Sequence, residues 1–194
     1  REISPENREK YLSITLDKAE RLEDLINEFF EITRFNLSTV TLDYGRIDLT
    51  RLLEQLRFEF MPMLRGKELG CTLTAPETLP IRCDAGKIQR VFDNLLRNAV
   101  LYGYPGTEIM ISAALDGENA VVSVVNHGAT IPEDKLRRIF EQFYRLDASR
   151  SSSGGAGLGL AIANQIVQLH GGTINARSAD ELIEFTVTLP VGIS

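Results

Sequence analysis

Val91-Phe-Asp-Asn94-Leu-Leu-Arg-Asn98-Ala-Val-Leu-Tyr102 is the stretch on which the reading of this chain turns. Two asparagines four residues apart are just over one helical turn apart, so both amides project from one side of a helix. Leu95, Leu96, Ala99 and Val100 line the other side and would pack it down. Asparagine is a poor helix-interior residue because its amide competes for the backbone. Amide oxygens are hard neutral ligands, suited to a magnesium ion that keeps several of its waters. The pair alone also fits two surface polar residues on an amphipathic helix, and two residues identify no motif by themselves.

Working outward, Asp84 can cap this helix. Before it, Leu49–Leu64 reads as a helix capped by Asp48 or Thr50 and stopped by Gly66, with Pro62 loosening its last turn. Leu69–Ala75 and Ile81–Cys83 read as strands, and Asn36–Arg46 as a polar connector. After it, Glu108–Leu115 and Ala120–Val125 alternate as a hairpin around Asp116-Gly117. Pro132–Phe140 reads as a short helix, Glu141–Gly155 as a long mobile loop and Leu158–His170 as a helix closed by Gly171-Gly172. Thr173–Ala176 and Ile183–Leu189 complete the strands. Strands and helices mix without strict alternation, which predicts an α+β fold: a mixed sheet with helices on one face.

Residues from about Glu9 to Phe35 form a single long helical pattern. Leu12, Thr15, Ala19, Leu22, Ile26, Phe29 and Thr33 step by threes and fours, and Leu16, Leu25 and Phe30 widen the stripe. Such a helix spans roughly 40 Å at about 1.5 Å per residue. Nothing else in the chain matches it in length, so its apolar stripe is expected to pair with a preceding helix and a second subunit. The chain opens at Arg1, in the middle of this pattern, and is expected to be part of something longer. The division expected is 1–40 for the helical segment and 46–194 for the α+β domain.

The 194 residues carry a net charge of −6 with no basic cluster, which argues against nucleic acid as a partner. Cys71 and Cys83 form neither a disulfide framework nor a zinc spacing, which fits a reducing cytosol. No apolar run reaches membrane-spanning length and no signal peptide opens the chain.

Ser151-Ser-Ser-Gly154-Gly155-Ala-Gly157-Leu158-Gly159-Leu160 runs straight into the last helix. Glycines let backbone N–H groups approach an anion, and a helix N-terminus favours negative charge, so this is phosphate-binding chemistry. It is not a P-loop, because no Gly-Lys-Ser/Thr follows, and it is a poor dinucleotide fingerprint. It also fits a flexible linker before a glycine-started helix. Val124-Val125-Asn126-His127-Gly128-Ala129-Thr130-Ile131-Pro132 offers a base pocket at a strand end. A polar side chain there can read an adenine edge, Gly128 lets the base approach the backbone, and Ile131 can pack on its face.

In order, these segments resemble the catalytic, ATP-binding domain of sensor histidine kinases. Asn94–Tyr102 is similar to the N box and Asn126–Pro132 to the first glycine box. Ile139-Phe-Glu-Gln-Phe143-Tyr-Arg145-Leu-Asp-Ala-Ser-Arg150 is similar to the F box, and Gly154–Ile162 to the second glycine box. His170-Gly-Gly and Phe185-Thr-Val-Thr-Leu-Pro190 resemble the family's usual ending. The long helix resembles the second helix of the dimerisation and phosphotransfer domain. Within the family, the Asn126 box, the Phe143–Arg150 phrase and Asn27–Phe35 most resemble the vancomycin-resistance sensor kinases.

The resemblance implies a two-layer α/β sandwich shared with the Hsp90 and gyrase ATPases. It implies that Asn94 and Asn98 hold Mg²⁺ and the phosphates, that Tyr102 flanks the nucleotide, and that Asn126, Gly128 and Ile131 meet adenine. Glu141–Gly155 would be the ATP lid, bringing Phe143 to the nucleotide and Arg145 and Arg150 to the γ-phosphate. The Gly155, Gly157, Leu158 and Gly159 backbone would cradle phosphate oxygens. The implied reaction passes the γ-phosphate of ATP to a histidine on a preceding helix, then to an aspartate of a VanR-like response regulator. The implied setting is a homodimer on the cytoplasmic side of a bacterial membrane, attached only through N-terminal segments that precede this chain. Two alternatives remain: an ATP-gated interaction module without transfer, and a related ATPase or serine kinase.

Three departures bear on this. Leu101 stands where many members carry a phosphate-binding lysine, and Asn126 where most carry aspartate, so ATP binding is expected to be weaker but real. Asp180-Glu-Leu-Ile183 replaces a glycine-rich turn. Neither His127 nor His170 has a phosphoacceptor's context. His170, at a helix C-terminus, is expected to be structural and favourable as a partial positive charge; His127 is expected at the base of the lid. Arg97 reads as a solvated helix residue, and both cysteines as strand packing.

Overall fold

In a computed structural model, residues 4–36, 41–146 and 156–192 are described. The chain divides into two units, residues 1–40 and 41–194.

The first unit is one helix, α1 (Pro5–Asn36). Its interior lacks glycine and proline, and Thr15 and Thr33 bond back to the carbonyls of Tyr11 and Phe29. Leu12, Leu16, Leu22, Phe29 and Phe30 are each more than half exposed.

The first strand of the second unit is β1 (Gly45–Asp48), whose first two residues fall in the stretch expected to be connector. It pairs antiparallel with β3 (Pro80–Cys83) as a two-stranded sheet. Four residues with one apolar side chain give too short an alternation to be read as a strand. Asp48 then caps α2 (Leu49–Glu59), accepting from Thr50 N–H at 3.1 Å. The helix expected to run to Leu64 is divided at Phe60, and α3 (Met61–Gly66) restarts with Pro62 in its first turn. The cause is proline's missing N–H and its clash with the preceding turn, which permit it only near a helix start.

β2 (Gly70–Thr74), β4 (Glu108–Asp116), β5 (Asn119–His127), β6 (Thr173–Ala179) and β7 (Leu182–Pro190) form the main sheet in the order β2-β4-β5-β7-β6. β2 and β4 are parallel and the other pairs antiparallel, so the sheet is mixed as expected. Gly117, at φ 59°, supplies the left-handed residue of the β4–β5 turn. The alternation is strict: Ile109, Ile111 and Ala113, then Ala120, Val122 and Val124, then Ile183, Phe185, Val187 and Leu189, are all buried on one face. Against that face pack α4 (Ala85–Tyr102), through Ile88, Phe92 and Leu95, and α6 (Gly159–Leu169), through Ile162 and Ile166. The helix expected over Pro132–Phe140 is only α5 (Glu133–Leu136), followed by turns.

Candidate functional site

Asn126 is the fourth inward-facing position of β5, in phase with Ala120, Val122 and Val124, and only 2% exposed. A polar side chain at a core position points to use rather than packing. Its Nδ2 donates to the His127 carbonyl at 3.2 Å. That bond fixes which end of the amide is the donor and turns Oδ1 the other way, as an acceptor. Gly128 follows, where an added Cβ would sit 2.9 Å from the Tyr102 carbonyl and 3.2 Å from Asn126 Nδ2. The end of β5 and the end of α4 therefore meet backbone to backbone. Tyr102 is partly exposed there, and Ile131 is buried, its N–H held by Ser178 Oγ at 2.9 Å.

At the other end, Asn94 is buried among the apolar residues of α4, and Asn98 is half-buried one turn on. Asn94 Nδ2 has no hydrogen-bond partner among the described residues. An orphaned buried amide costs about 1–3 kcal/mol, so its persistence calls for a reason. Its neighbour supplies one. A Cβ at Gly159 would lie 3.2 Å from Asn94 Oδ1, so glycine lets the start of α6 come this close without displacing that side chain. That start is uncapped: Leu158 offers no side-chain hydrogen bond, and the first turn holds no acidic residue. Its backbone N–H groups lack intrahelical acceptors and carry the positive end of the helix dipole. Leu158 itself is buried and anchors the turn.

Gly157, at φ 77°, fastens the preceding segment: Phe143 N–H donates to its carbonyl at 3.0 Å, and a Cβ would meet the Tyr144 carbonyl at 2.6 Å. The Arg145 Cγ would be 3.2 Å from that Cβ, which sets this half-buried arginine beside the glycine turn. Phe143 is itself left-handed, at φ 63°, and largely exposed. Arg138 stacks over the Tyr144 ring at 4.5 Å and pairs with Glu141. Arg150 and Gly155, expected at the γ-phosphate and in the phosphate cradle, lie outside the described residues, as does the rest of the expected lid from Asp147 onward.

Residues named from the sequence thus meet pairwise: Asn94 with Gly159, Arg145 and Phe143 with Gly157, and Gly128 with both Asn126 and Tyr102. The sequence reading missed Thr130, Ser178 and Glu181, which brace the Gly128–Ile131 loop. Arg97 is exposed, as expected of a solvated helix residue, and also pairs with Asp93 at 2.8 Å and lies over the Phe60 ring. His170 is structural, but as a neutral ring: Nε2 accepts from Asp84 N–H at 3.1 Å, which leaves Nδ1 to donate to the Ile166 carbonyl at 2.8 Å. The two bonds define a tautomer that uses no positive charge. His127 is the last residue of β5, and its carbonyl, not its ring, ties Asn126 and Tyr104.

Among the described residues no group of three or more His, Cys, Asp or Glu could hold a metal ion. A divalent ion beside Asn94 would be bound by amides together with the phosphates it accompanies. The Asn94 Oδ1 would suit the ion, and the unpartnered Nδ2 donor and the uncapped helix start would suit the phosphate oxygens. No helix among the described residues is long and apolar enough to cross a membrane.

An uncapped helix start, a buried amide beside it and a polar core position at a strand end, on one mixed sheet covered by helices, make up an α/β sandwich with a candidate nucleotide site. The chain belongs to the histidine kinase-, DNA gyrase B- and HSP90-like ATPases, whose family model matches residues 83–193. It is similar to the sensor protein VanS of Enterococcus faecium, at 51% identity over 93% of this chain and 47% of that protein. It spans about half the length of the curated relatives it matches. Among solved structures it resembles full-length ShkA in complex with AMPPNP (TM-score 0.85, 26% identity, all of this chain and 41% of that one). It also resembles the histidine kinase ThkA in complex with the response regulator protein TrrA (TM-score 0.79, 25% identity, 98% of this chain and 53% of that one).

Proposed function

We propose that this chain is the ATP-binding kinase part of a membrane sensor, which passes the γ-phosphate of Mg-ATP to a histidine outside the chain. From there it goes to an aspartate of a VanR-like response regulator controlling vancomycin resistance. The single observation that carries the reading is the buried Asn94 amide, its Oδ1 set against Gly159 at the uncapped start of α6 and its Nδ2 without a partner.

Each residue has a task. Asn94 and Asn98 hold Mg²⁺ through amide oxygens or, with the amide turned over, a phosphate oxygen through N–H. The backbone of Gly155, Gly157, Leu158 and Gly159 accepts the remaining phosphate charge. Arg145 and Arg150 close on the γ-phosphate, with Phe143 covering the nucleotide. Asn126 Oδ1 accepts from the adenine amino group, and its bond to His127 disfavours the flip that a guanine carbonyl would need. Gly128 and Ile131 give the base room and a surface, and Tyr102 flanks it. Mg²⁺ bound with the nucleotide neutralises charge on the transferred group; the rest of the catalysis is positioning. His170 is excluded as the acceptor by its two ring bonds. The exposed apolar side chains of α1 fit a homodimer formed through that helix in the full protein.

Isothermal titration tests the site. Mg-ATP should bind the chain. Asn98→Ala should abolish the heat of binding while leaving the thermal midpoint within a few degrees. No binding at millimolar nucleotide would sink the reading. Phosphohistidine should form only when a segment carrying the acceptor is added, and label on the isolated chain would contradict the assignment.

A further inference from the structure

The β6–β7 turn breaks a local rule. Its two central residues, Asp180 and Glu181, have φ of 50° and 59°. Two-residue turns of this kind favour Asn, Asp or Gly first and Gly second, because a Cβ is strained there. Asp180 is tolerable; Glu181 is not an expected choice. A residue that violates its local preference is a place to look for function.

Glu181 engages three of its polar groups with the base end of the site. Its carbonyl accepts from Gly128 N–H at 2.8 Å, and its N–H donates to Thr130 Oγ1 at 3.0 Å. Its Oε1 accepts from the Tyr104 hydroxyl at 3.3 Å. Tyr104 N–H in turn donates to the His127 carbonyl at 2.9 Å, just past the end of α4. Ser178, three residues upstream, holds Ile131 N–H and donates to the Leu182 carbonyl. Desolvation, then the Glu181 charge and hydrogen bond, raise the Tyr104 pKa and keep its hydroxyl a donor.

We propose that Glu181 is a positioning residue for the nucleotide base. It clamps the Gly128–Thr130 backbone to the C-terminal end of α4, and so sets the Asn126 acceptor at a fixed spacing from the Asn94–Asn98 face. This rests on the ATP-site reading above. A residue that merely closed the hairpin would behave oppositely, since glycine would serve the turn better.

Titration of the whole chain with Mg-ATP and, separately, with Mg-tripolyphosphate distinguishes the two. Glu181→Gly should keep a thermal midpoint at or above that of the parent chain yet weaken Mg-ATP about fivefold, the scale of one lost hydrogen bond. Mg-tripolyphosphate, which has no base, should bind unchanged. Glu181→Gln, which retains an acceptor, should restore ATP affinity, and Tyr104→Phe should reproduce the loss without adding to it. Glu181→Gly and Tyr104→Phe binding ATP as the parent does would overturn the clamp alone, as would an equal loss for both ligands. A parent chain that binds no Mg-ATP would overturn the ATP-site reading and this one with it.

Discussion

Cys71 on β2 and Cys83 on β3 are thiols held away from their usual chemistry. Burial pushes Cys71 up to about 11 and, with Asp84 adding its charge, Cys83 up to about 12, from an ordinary 9.0. At neutral pH both stay protonated, and a thiol is a poor nucleophile compared with its thiolate. The unfolded chain would ionise them near 9.0 and the folded chain only near 11–12, so between these values the unfolded state binds fewer protons. Their contribution to stability is therefore full below pH 9 and falls as pH rises towards 12. Alkylation at pH 7.5 should be slow in buffer and fast in denaturant, and the thermal midpoint should drop on raising the pH from 8 to 11. Expecting both cysteines to be strand residues was within reach of the sequence, because each sits in a short alternating run. The asparagines and the glycine run were legible for the same reason: their meaning lies in spacings of a few residues. Thr130 with Glu181, Ser178 with Ile131 and Asp84 with His170 were not, since 51, 47 and 86 residues separate them. No local pattern carries that pairing.

Among the elements, α4 bears the largest responsibility, and Asp84 shows how its start is held. One carboxylate oxygen caps the helix through Lys87 N–H at 3.1 Å, and the other accepts from Asp43 N–H at 3.1 Å. Its own N–H rests on His170 at the end of α6, with Tyr44 edge-on to that ring. The cap was readable as an Asp before a helical pattern; the tie to Asp43 was not, because that stretch read only as polar connector. Asp84→Ala should cost about 1–2 kcal/mol, the usual range for losing such a cap, with the midpoint of urea unfolding lowered and its slope unchanged. Asp84→Asn, which keeps an acceptor, should recover most of that. The α2–α3 break illustrates the limit of element boundaries: Pro62 announced a disturbance, but not that the chain would restart as a new helix directly after Phe60.

At the level of the whole molecule, two units differ in how they satisfy their apolar side chains. Apart from Ile32, every buried apolar residue among those described lies at or beyond Leu49, inside the second unit. Residues 41–194 alone should therefore fold and bind Mg-ATP like the full chain. They should elute as a monomer where the full chain, with its exposed α1 side chains, self-associates as concentration rises. Sedimentation and titration on both proteins check this. The sheet order adds a constraint on how the molecule is made. β7 lies between β5 and β6, so the last strand of this sheet to be synthesised enters its interior rather than its rim. Until Leu182–Pro190 has emerged, a nascent chain presents β5 as a bare edge of unpaired N–H and carbonyl groups, open to another nascent copy. Vectorial synthesis thus leaves β5, with Asn126 near its end, waiting for its second permanent neighbour, and chains released before Leu182 are the ones most exposed to aggregation and proteolytic clearance.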